Sequence, residues 1–286
     1  MADQDPNDLE VPLSQLEPAK KAERAGSFGQ VAPDYERFRP GPPTASVDWI
    51  LPDHVGRIVD LGAGTGALTR LLIDRADEVI AVEPDGRMRS VLAQEVPGSQ
   101  VLKGRGESMP IPDSSVDAVL ASSSWHWMDP VPTLNEVGRI LVPGGILGAL
   151  WSGPDPEGPF VDQARALLAG KSEGGSKSAP GDTGGSEFSG LIMGDALRPS
   201  STLEIPDGVP FEQPVSHVFS WDVALNADEL IGLLGTFSWI ITMPEEKRTR
   251  IIAEARRLLS ELLGLEGQAT VDVAFRSEAW RARRSG

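Results

Sequence analysis

Residues 58 to 66, Ile-Val-Asp-Leu-Gly-Ala-Gly-Thr-Gly, constrain what this chain can fold into more than any other stretch. Arg57-Ile58-Val59 reads as the end of a short buried strand, and glycines follow at alternate positions, Gly62, Gly64 and Gly66. From Ala67 to Ile73 the apolar spacing is that of a helix start. Strand, glycine loop and helix in this order let a backbone approach a ligand closely, because glycine has no Cβ and accepts left-handed turns. The next apolar run, Val79-Ile80-Ala81-Val82, ends on an acid, Glu83. A glycine loop at the mouth of one strand and an acid at the mouth of its neighbour make a nucleoside-binding geometry.

The rest of the chain repeats the alternation. Thr44 to Leu51 has the spacing of a short helix with Val47 and Ile50 inward, ended by Pro52. Glu78 to Val82 is a second strand, Arg87 to Ala93 a helix with Met88, Val91 and Leu92 inward, and Val101-Leu102 a weak third strand. Asp117 to Ala121 is continuously apolar after its first residue, as a strand covered on both faces should be. Thr133 to Ile140 is helical, Pro143-Gly144-Gly145 a turn, and Ile146 to Trp151 a fifth strand. This order predicts an α/β fold, a doubly wound and mostly parallel sheet with helices on both faces.

Before that core, residues 1 to 26 are charged and broken by Pro6, Pro12 and Pro18, which predicts a mobile acidic lead-in with no signal peptide. From residue 27 to 286 a single domain is expected. Residues 27–52 form an N-terminal cap, 53–152 a nucleoside-binding core, 153–210 an irregular segment with a flexible insertion at 170–190, and 211–286 terminal strands and helices. In that last part Val215 to Val223 alternates as a strand. Asn226 to Glu229 is a capping box opening a helix Leu230 to Ile241. A second helix carries Ile251, Ile252, Ala255, Leu258, Leu259 and Leu262 on one stripe with Gly264 past its end, and Thr270 to Phe275 is a final strand.

Composition narrows the function classes. A formal net charge of -16 disfavours a nucleic-acid partner, since phosphate binding needs clustered Lys and Arg. The absence of cysteine excludes disulfides and thiolate chemistry and fits a cytoplasmic location; no metal site is expected. No stretch approaches the roughly 18 consecutive apolar residues of a membrane span.

Gly62, Gly64 and Ala67 satisfy the loose dinucleotide fingerprint, so an NAD(P)-dependent oxidoreductase competes for this loop. Asp60 stands where that fingerprint usually has an apolar residue, and Gly66 makes a wider turn than a pyrophosphate needs. Asp60-Leu61-Gly62-Ala63-Gly64-Thr65-Gly66 resembles the first motif of class I S-adenosylmethionine-dependent methyltransferases of the type 11 group. The resemblance continues through Val82-Glu83-Pro84, Gly106-Glu107-Ser108-Met109-Pro110, Trp125-His126-Trp127 and Arg139-Ile140-Leu141-Val142-Pro143-Gly144-Gly145. The lead-in Phe28, Ala32, Tyr35 and Arg39-Pro40 is similar to the cap of a branch that includes trans-aconitate and cantharidin-type methyltransferases.

The resemblance implies a seven-stranded Rossmann-like sheet with an antiparallel final strand, and S-adenosyl-L-methionine as cofactor. It implies that the backbone of Gly62, Ala63 and Gly64, with Gly66 closing the turn, packs against the methionine and ribose. Asp60 would lie near the methionine ammonium, Glu83 would accept the ribose hydroxyls beside Pro84, and Tyr35 and Arg39 would close over the carboxylate. Arg105-Gly106-Glu107 would border the adenine. Arg105 cannot accept the hydrogen bond that an acid in its place would, which leaves Glu107 or the Gly106 backbone with Met88 and Met109. Ser122 ends the fourth strand beside the cofactor.

The implied reaction is methyl transfer to a small-molecule acceptor, with a carboxylate or hydroxyl oxygen expected. Phe28, Trp125 and Trp127 would wall the acceptor pocket. His126 is the candidate base; the competing reading makes it a structural ring hydrogen-bonded to backbone. A third possibility is a cofactor-binding regulatory protein without turnover. Monomer and homodimer both remain open.

Overall fold

Among the described residues of the computed structural model, seven strands form a sheet in the order β3-β2-β1-β4-β5-β7-β6. The structure describes residues 18–51, 54–162, 202–264 and 269–286. The expected insertion at 170–190 and residues 1–17 of the lead-in lie outside them. The strands are β1 (Val55–Leu61), β2 (Ala76–Val82), β3 (Gln100–Leu102), β4 (Val116–Ser122), β5 (Leu141–Pro154), β6 (Val215–Asn226) and β7 (Thr270–Arg283). β1 pairs in parallel with both β2 and β4, β2 with β3, and β4 with β5.

The last strand runs the other way. Gly144 and Gly145 exchange backbone bonds with Arg284, whereas Ser152, later in β5, bonds Ser277, earlier in β7. One partner's number falls as the other's rises, so β7 is antiparallel, and it bridges in the antiparallel sense to Phe211 as well. The remaining six strands share one direction.

The helices are α1 (Pro18–Ser27), α2 (Ala32–Phe38), α3 (Thr44–Ile50), α4 (Ala67–Leu72), α5 (Gly86–Glu95), α6 (Pro130–Ile140), α7 (Ala227–Gly235), α8 (Ser238–Ile241) and α9 (Glu245–Leu263). Both sheet faces are covered, which is why the middles of the central strands, Ile58-Val59, Val79 to Val82 and Ala118 to Ala121, are continuously apolar. Val59 and Leu61 of β1 join Val82, Val119, Ala121, Leu134 and Val137 in one core, and Ile58 joins Val79, Leu120, Leu68, Leu72, Val47 and Ile50 in another. The alternation along β1 puts Asp60 on the α4 side with Ile58.

Four local expectations are corrected. Pro18 opens a helix instead of breaking the chain, because a first-turn proline lacks only an N–H that no helix uses, and Ala19 to Arg24 are strong helix formers. Pro143-Gly144-Gly145 is a bulge inside β5 and not a turn before it: Val116 pairs Leu141 and Ala118 already pairs Ile146, with Gly144 at φ 76° absorbing the extra residues. The helix expected from Leu230 to Ile241 is two, α7 and α8, separated at Thr236 and Phe237. Its capping box, Asn226 with Glu229, is present in both directions. β7 runs on to Arg283 because small residues, Ser277 and Ala279, occupy its fully buried positions, where the sequence looks polar.

The chain groups into two compact units, one of Ala25–Ser152, Ser200–Phe219 and Ser277–Gly286, the other of Met1–Arg24, Gly153–Pro199 and Ser220–Arg276. In the second, Ile231, Leu234, Ile240, Met243 and the α9 stripe Ile251, Ala255, Leu258 and Leu259 form a core of their own. The residues assigned to the site on sequence grounds all belong to the first.

Candidate active site

The glycine loop leaves β1 and is pinned at once to β2: the amides of Gly62 and Ala63 both donate to the Val82 carbonyl, at 2.8 and 3.1 Å. Gly62, Gly64 and Gly66 all have positive φ, 70°, 57° and 103°. Their reasons for being glycine differ. A Cβ on Gly62 would stand 2.5 Å from Ser124 Cβ, and one on Gly66 2.9 Å from Val96, so both are required by packing inside the protein. At Gly64 nothing lies within 4 Å of that position, and only the left-handed backbone and whatever occupies the open space disfavour a side chain.

Two carboxylates face this loop from inside. Asp60, 1% exposed, accepts from the Thr69 hydroxyl at 2.6 Å through Oδ2, while its buried Oδ1 has no hydrogen-bond partner. Burial above all pushes its carboxyl up to about 7; the neighbouring charge of Glu83 adds to this and the Thr69 bond opposes it. Glu83, 7% exposed, accepts from the Gly64 amide at 3.0 Å and from the Asp85 amide at 2.8 Å. Burial raises its carboxyl above the ordinary value too, against those two backbone bonds. Pro84 is exposed beside it, and Arg89 holds the turn by donating to the carbonyls of Glu83 and Pro84, each at 2.8 Å.

The loop after β4 supplies the opposite wall. Ser122 ends the strand opposite Leu150, and Ser123 takes φ 51°, a left-handed conformation a serine adopts only when its surroundings hold it there. That turn sends Ser124 under the glycine loop, where its hydroxyl donates to the Leu61 carbonyl at 2.7 Å. Trp125-His126-Trp127 follow as one turn of 3₁₀ helix, with Trp125 buried in the core and His126 and Trp127 partly exposed.

The N-terminal cap reaches this wall through aromatic rings. Phe28 meets Tyr35 edge-on at 5.7 Å and Trp127 edge-on at 5.6 Å, and His126 lies 4.9 Å from Trp127. The Arg39 guanidinium sits 5.5 Å from the Tyr35 ring centre, and burial lowers its pKa. The cap is fastened at two further points: Arg70 of α4 pairs with Glu36 at 2.5 Å, and Arg87 donates to the Gly26 carbonyl at 3.0 Å.

The third border is the loop after β3. Arg105 and Ser108 exchange both backbone bonds in a tight turn. Glu107 Oε1 accepts from the Asp129 amide at 2.8 Å, at the start of α6. A Cβ on Gly106 would strike Met128 and Thr133, again a packing requirement. Met109 lies in the core. Trp125, expected as a pocket wall, is largely core as well. Ser124 and Trp151 were not among the site residues expected from the sequence. The paired register of β4 and β5, Ser122 opposite Leu150, puts Trp151 next to the Trp125–Trp127 turn, and its indole donates to His126 Nδ1 at 3.1 Å.

The model for the methyltransferase domain matches residues 59–149. An uncharacterized methyltransferase of Mycobacterium tuberculosis is 37% identical over 234 residues, 82% of this chain and 86% of its own length. The chain belongs to the class I S-adenosylmethionine-dependent methyltransferases. The methyltransferase is an enzyme of that class, which decides against both the dinucleotide oxidoreductase and the regulatory protein without turnover. An uncharacterized methyltransferase-like protein of Schizosaccharomyces pombe is 27% identical over 256 residues, 88% of this chain and 93% of the relative. The fold is that of a chain described as a type II methyltransferase from Anaeromyxobacter dehalogenans, at a TM-score of 0.57 and 21% identity, covering 86% of this chain and 98% of that one.

S-adenosyl-L-methionine is the cofactor of this methyltransferase, and the residues present suit it. An orphaned carboxylate oxygen at Asp60 fits an ammonium donor, the buried Glu83 carboxylate fits a pair of hydroxyls, and Gly64 leaves room beside both. Among the described residues, no helix is long and apolar enough to cross a membrane.

Proposed function

We propose that this methyltransferase acts in the cytoplasm on a small molecule and methylates it on oxygen, at a carboxylate or a hydroxyl. The observation that carries the reading is the ring chain Tyr35–Phe28–Trp127–His126, which joins the cap to the carboxyl end of β4. In an open parallel sheet that edge is where ligands bind. Aromatic walls suit a compact organic acceptor, and the formal net charge of -16 disfavours a nucleic acid. A malonyl-[acyl-carrier protein] O-methyltransferase of Pectobacterium atrosepticum, 30% identical over 127 residues but matching only 43% of this chain, supports oxygen as the acceptor atom.

In this reading Asp60 Oδ1 takes the cofactor's ammonium and Glu83 its ribose hydroxyls. Gly62, Ala63, Gly64 and Gly66 shape the loop between them, Pro84 and Ser122 flank it, and Tyr35 and Arg39 close over the carboxylate. Adenine is held by the Gly106 backbone, beside the Glu107 carboxylate that caps the Asp129 amide through Oε1. When bound, the cofactor supplies a methyl group on a positively charged sulfur. The chain's own residues then have three tasks: to align the acceptor, to exclude water and to hold the cap shut, so proximity does most of the work.

The test is incubation of purified protein with a metabolite extract and methyl-labelled S-adenosylmethionine, followed by mass identification of labelled products. A labelled small-molecule ester or ether is expected. Label found only in protein or RNA would refute the small-molecule reading.

A further inference from the structure

The bond between Trp151 and His126 fixes which ring nitrogen can act. An indole nitrogen is a donor only, so the Trp151 Nε1–H pointing at His126 Nδ1 across 3.1 Å requires a lone pair on Nδ1. The neutral imidazole then carries its proton on Nε2. Trp151 is 7% exposed and packed among Val119, Ala121 and Leu147, so the donor cannot swing away without opening the core. Both nitrogens are therefore engaged: Nδ1 by the indole, Nε2 by its own proton. A ring in that state can donate a hydrogen bond, but its one nitrogen lone pair is already taken by the indole and does not face the acceptor as a base.

We infer that Trp151 is a positioning residue that keeps His126 from serving as a general base, and that the acceptor is consequently one that arrives already ionised, a carboxylate. The inference rests on the oxygen-methylation reading above and narrows it. Of the neighbouring carboxylates, Glu107 accepts from the Asp129 amide, Asp85 is paired with Arg87 at 2.6 Å, and Asp60 faces the cofactor's ammonium in the reading above. A carboxylate acceptor needs no base. Its oxygen forms the new bond to the methyl carbon, the carbon–sulfur bond breaks with its electron pair left on sulfur, and the products are a methyl ester and a neutral thioether. An alcohol or phenol taking the same path must also lose a proton to some group, and His126 is not available to take it.

The chain has three histidines, so a long-range proton–nitrogen spectrum of histidine-labelled protein resolves each ring. The signal missing in His126→Gln identifies His126. Expected are an unprotonated Nδ1 and a protonated Nε2 in the wild type, and a shift toward the averaged pattern of two exchanging tautomers in Trp151→Phe, which keeps the bulk and removes the donor. A protonated Nδ1 in the wild type, or a pattern unmoved by Trp151→Phe, overturns the inference without touching methyl transfer. The acceptor class is read separately, by alkali treatment of the product labelled from S-adenosylmethionine. An ester releases its label as methanol, and an ether or amine retains it. Release is expected, and His126→Gln should then cost about tenfold or less in kcat. Alkali-stable label, or a loss of 10²- to 10⁴-fold of the size a general base supplies, overturns the carboxylate assignment. No label at all would instead refute the methyl-transfer reading on which it rests.

Discussion

The Thr69 hydroxyl donates to Asp60 Oδ2 at 2.6 Å, in a site where the other oxygen of the same carboxylate is buried without a partner. One bond does not compensate for the water lost by both oxygens, so the carboxyl titrates near 7 instead of 3.8. The folded state therefore holds a proton that the unfolded state releases above about pH 4. Stability falls as pH rises from about 4 to about 7, by on the order of 3–4 kcal/mol from this group, and is level above that. Thermal unfolding of the cofactor-free protein against pH should show this slope, and Asp60→Asn should flatten it. A cofactor ammonium at Oδ1 favours the ionised form. Its affinity should accordingly weaken by up to about tenfold per unit as pH drops below 7, again with no such trend in Asp60→Asn.

Gly62 and Ser124 should behave as a coupled pair. An alanine at position 62 meets Ser124 in a left-handed backbone, and a cost of about 2–3 kcal/mol is expected from the two effects together. Ser124→Gly removes the colliding carbon and should recover part of that loss in the double variant. Denaturant unfolding of the four proteins gives the coupling directly, and strictly additive losses would show that the two residues do not meet.

Arg139 is a clamp, not a site residue. It donates to the Ile111 and Met109 carbonyls at 2.8 and 3.2 Å and pairs with both Asp113 and Glu136, while Glu136 in turn accepts from the Met109 amide at 2.6 Å. The guanidinium holds the Glu136 carboxyl below the usual range. Arg139→Ala should cost about 2–4 kcal/mol, because it strands carbonyls and a half-buried carboxylate together. Arg139→Lys should restore little, since an ammonium cannot span four partners in one plane. Chemical denaturation measures both.

Phe28 connects the cap to the wall, touching Tyr35 and Trp127. Phe28→Ala should raise the KM for the acceptor and weaken cofactor binding, each several-fold, with a smaller effect on melting temperature, since Arg70–Glu36 and Arg87–Gly26 still fasten the segment. Steady-state kinetics beside a melting curve separate the two effects.

The glycine loop, Glu83 and the strand order around them were readable because their signal is local: an apolar run, three glycines at fixed spacing and an acid at the next strand end. Ser124 and Trp151 were not, for a physical reason. Their partners, Gly62 and His126, lie 62 and 25 positions away in the chain, and only the side-by-side placement of β1, β4 and β5 brings them into contact. The same limit explains the glycines. Sequence reading set the missing Cβ of Gly62 against the cofactor, whereas the nearest neighbour of that position is Ser124, and Gly66 and Gly106 likewise face other residues of the protein. That Glu107 caps the Asp129 amide was illegible for the same reason, since it depends on where α6 begins.

In the proposed site, the buried acid at the end of β2 holds the cofactor beside the glycine loop. Calorimetric titration of S-adenosylmethionine into the wild type and Glu83→Ala measures that contact. Binding by the wild type and a loss of about 1.5–3 kcal/mol in the variant, roughly 10- to 150-fold, are expected. Equal affinity in the two proteins would contradict the claim.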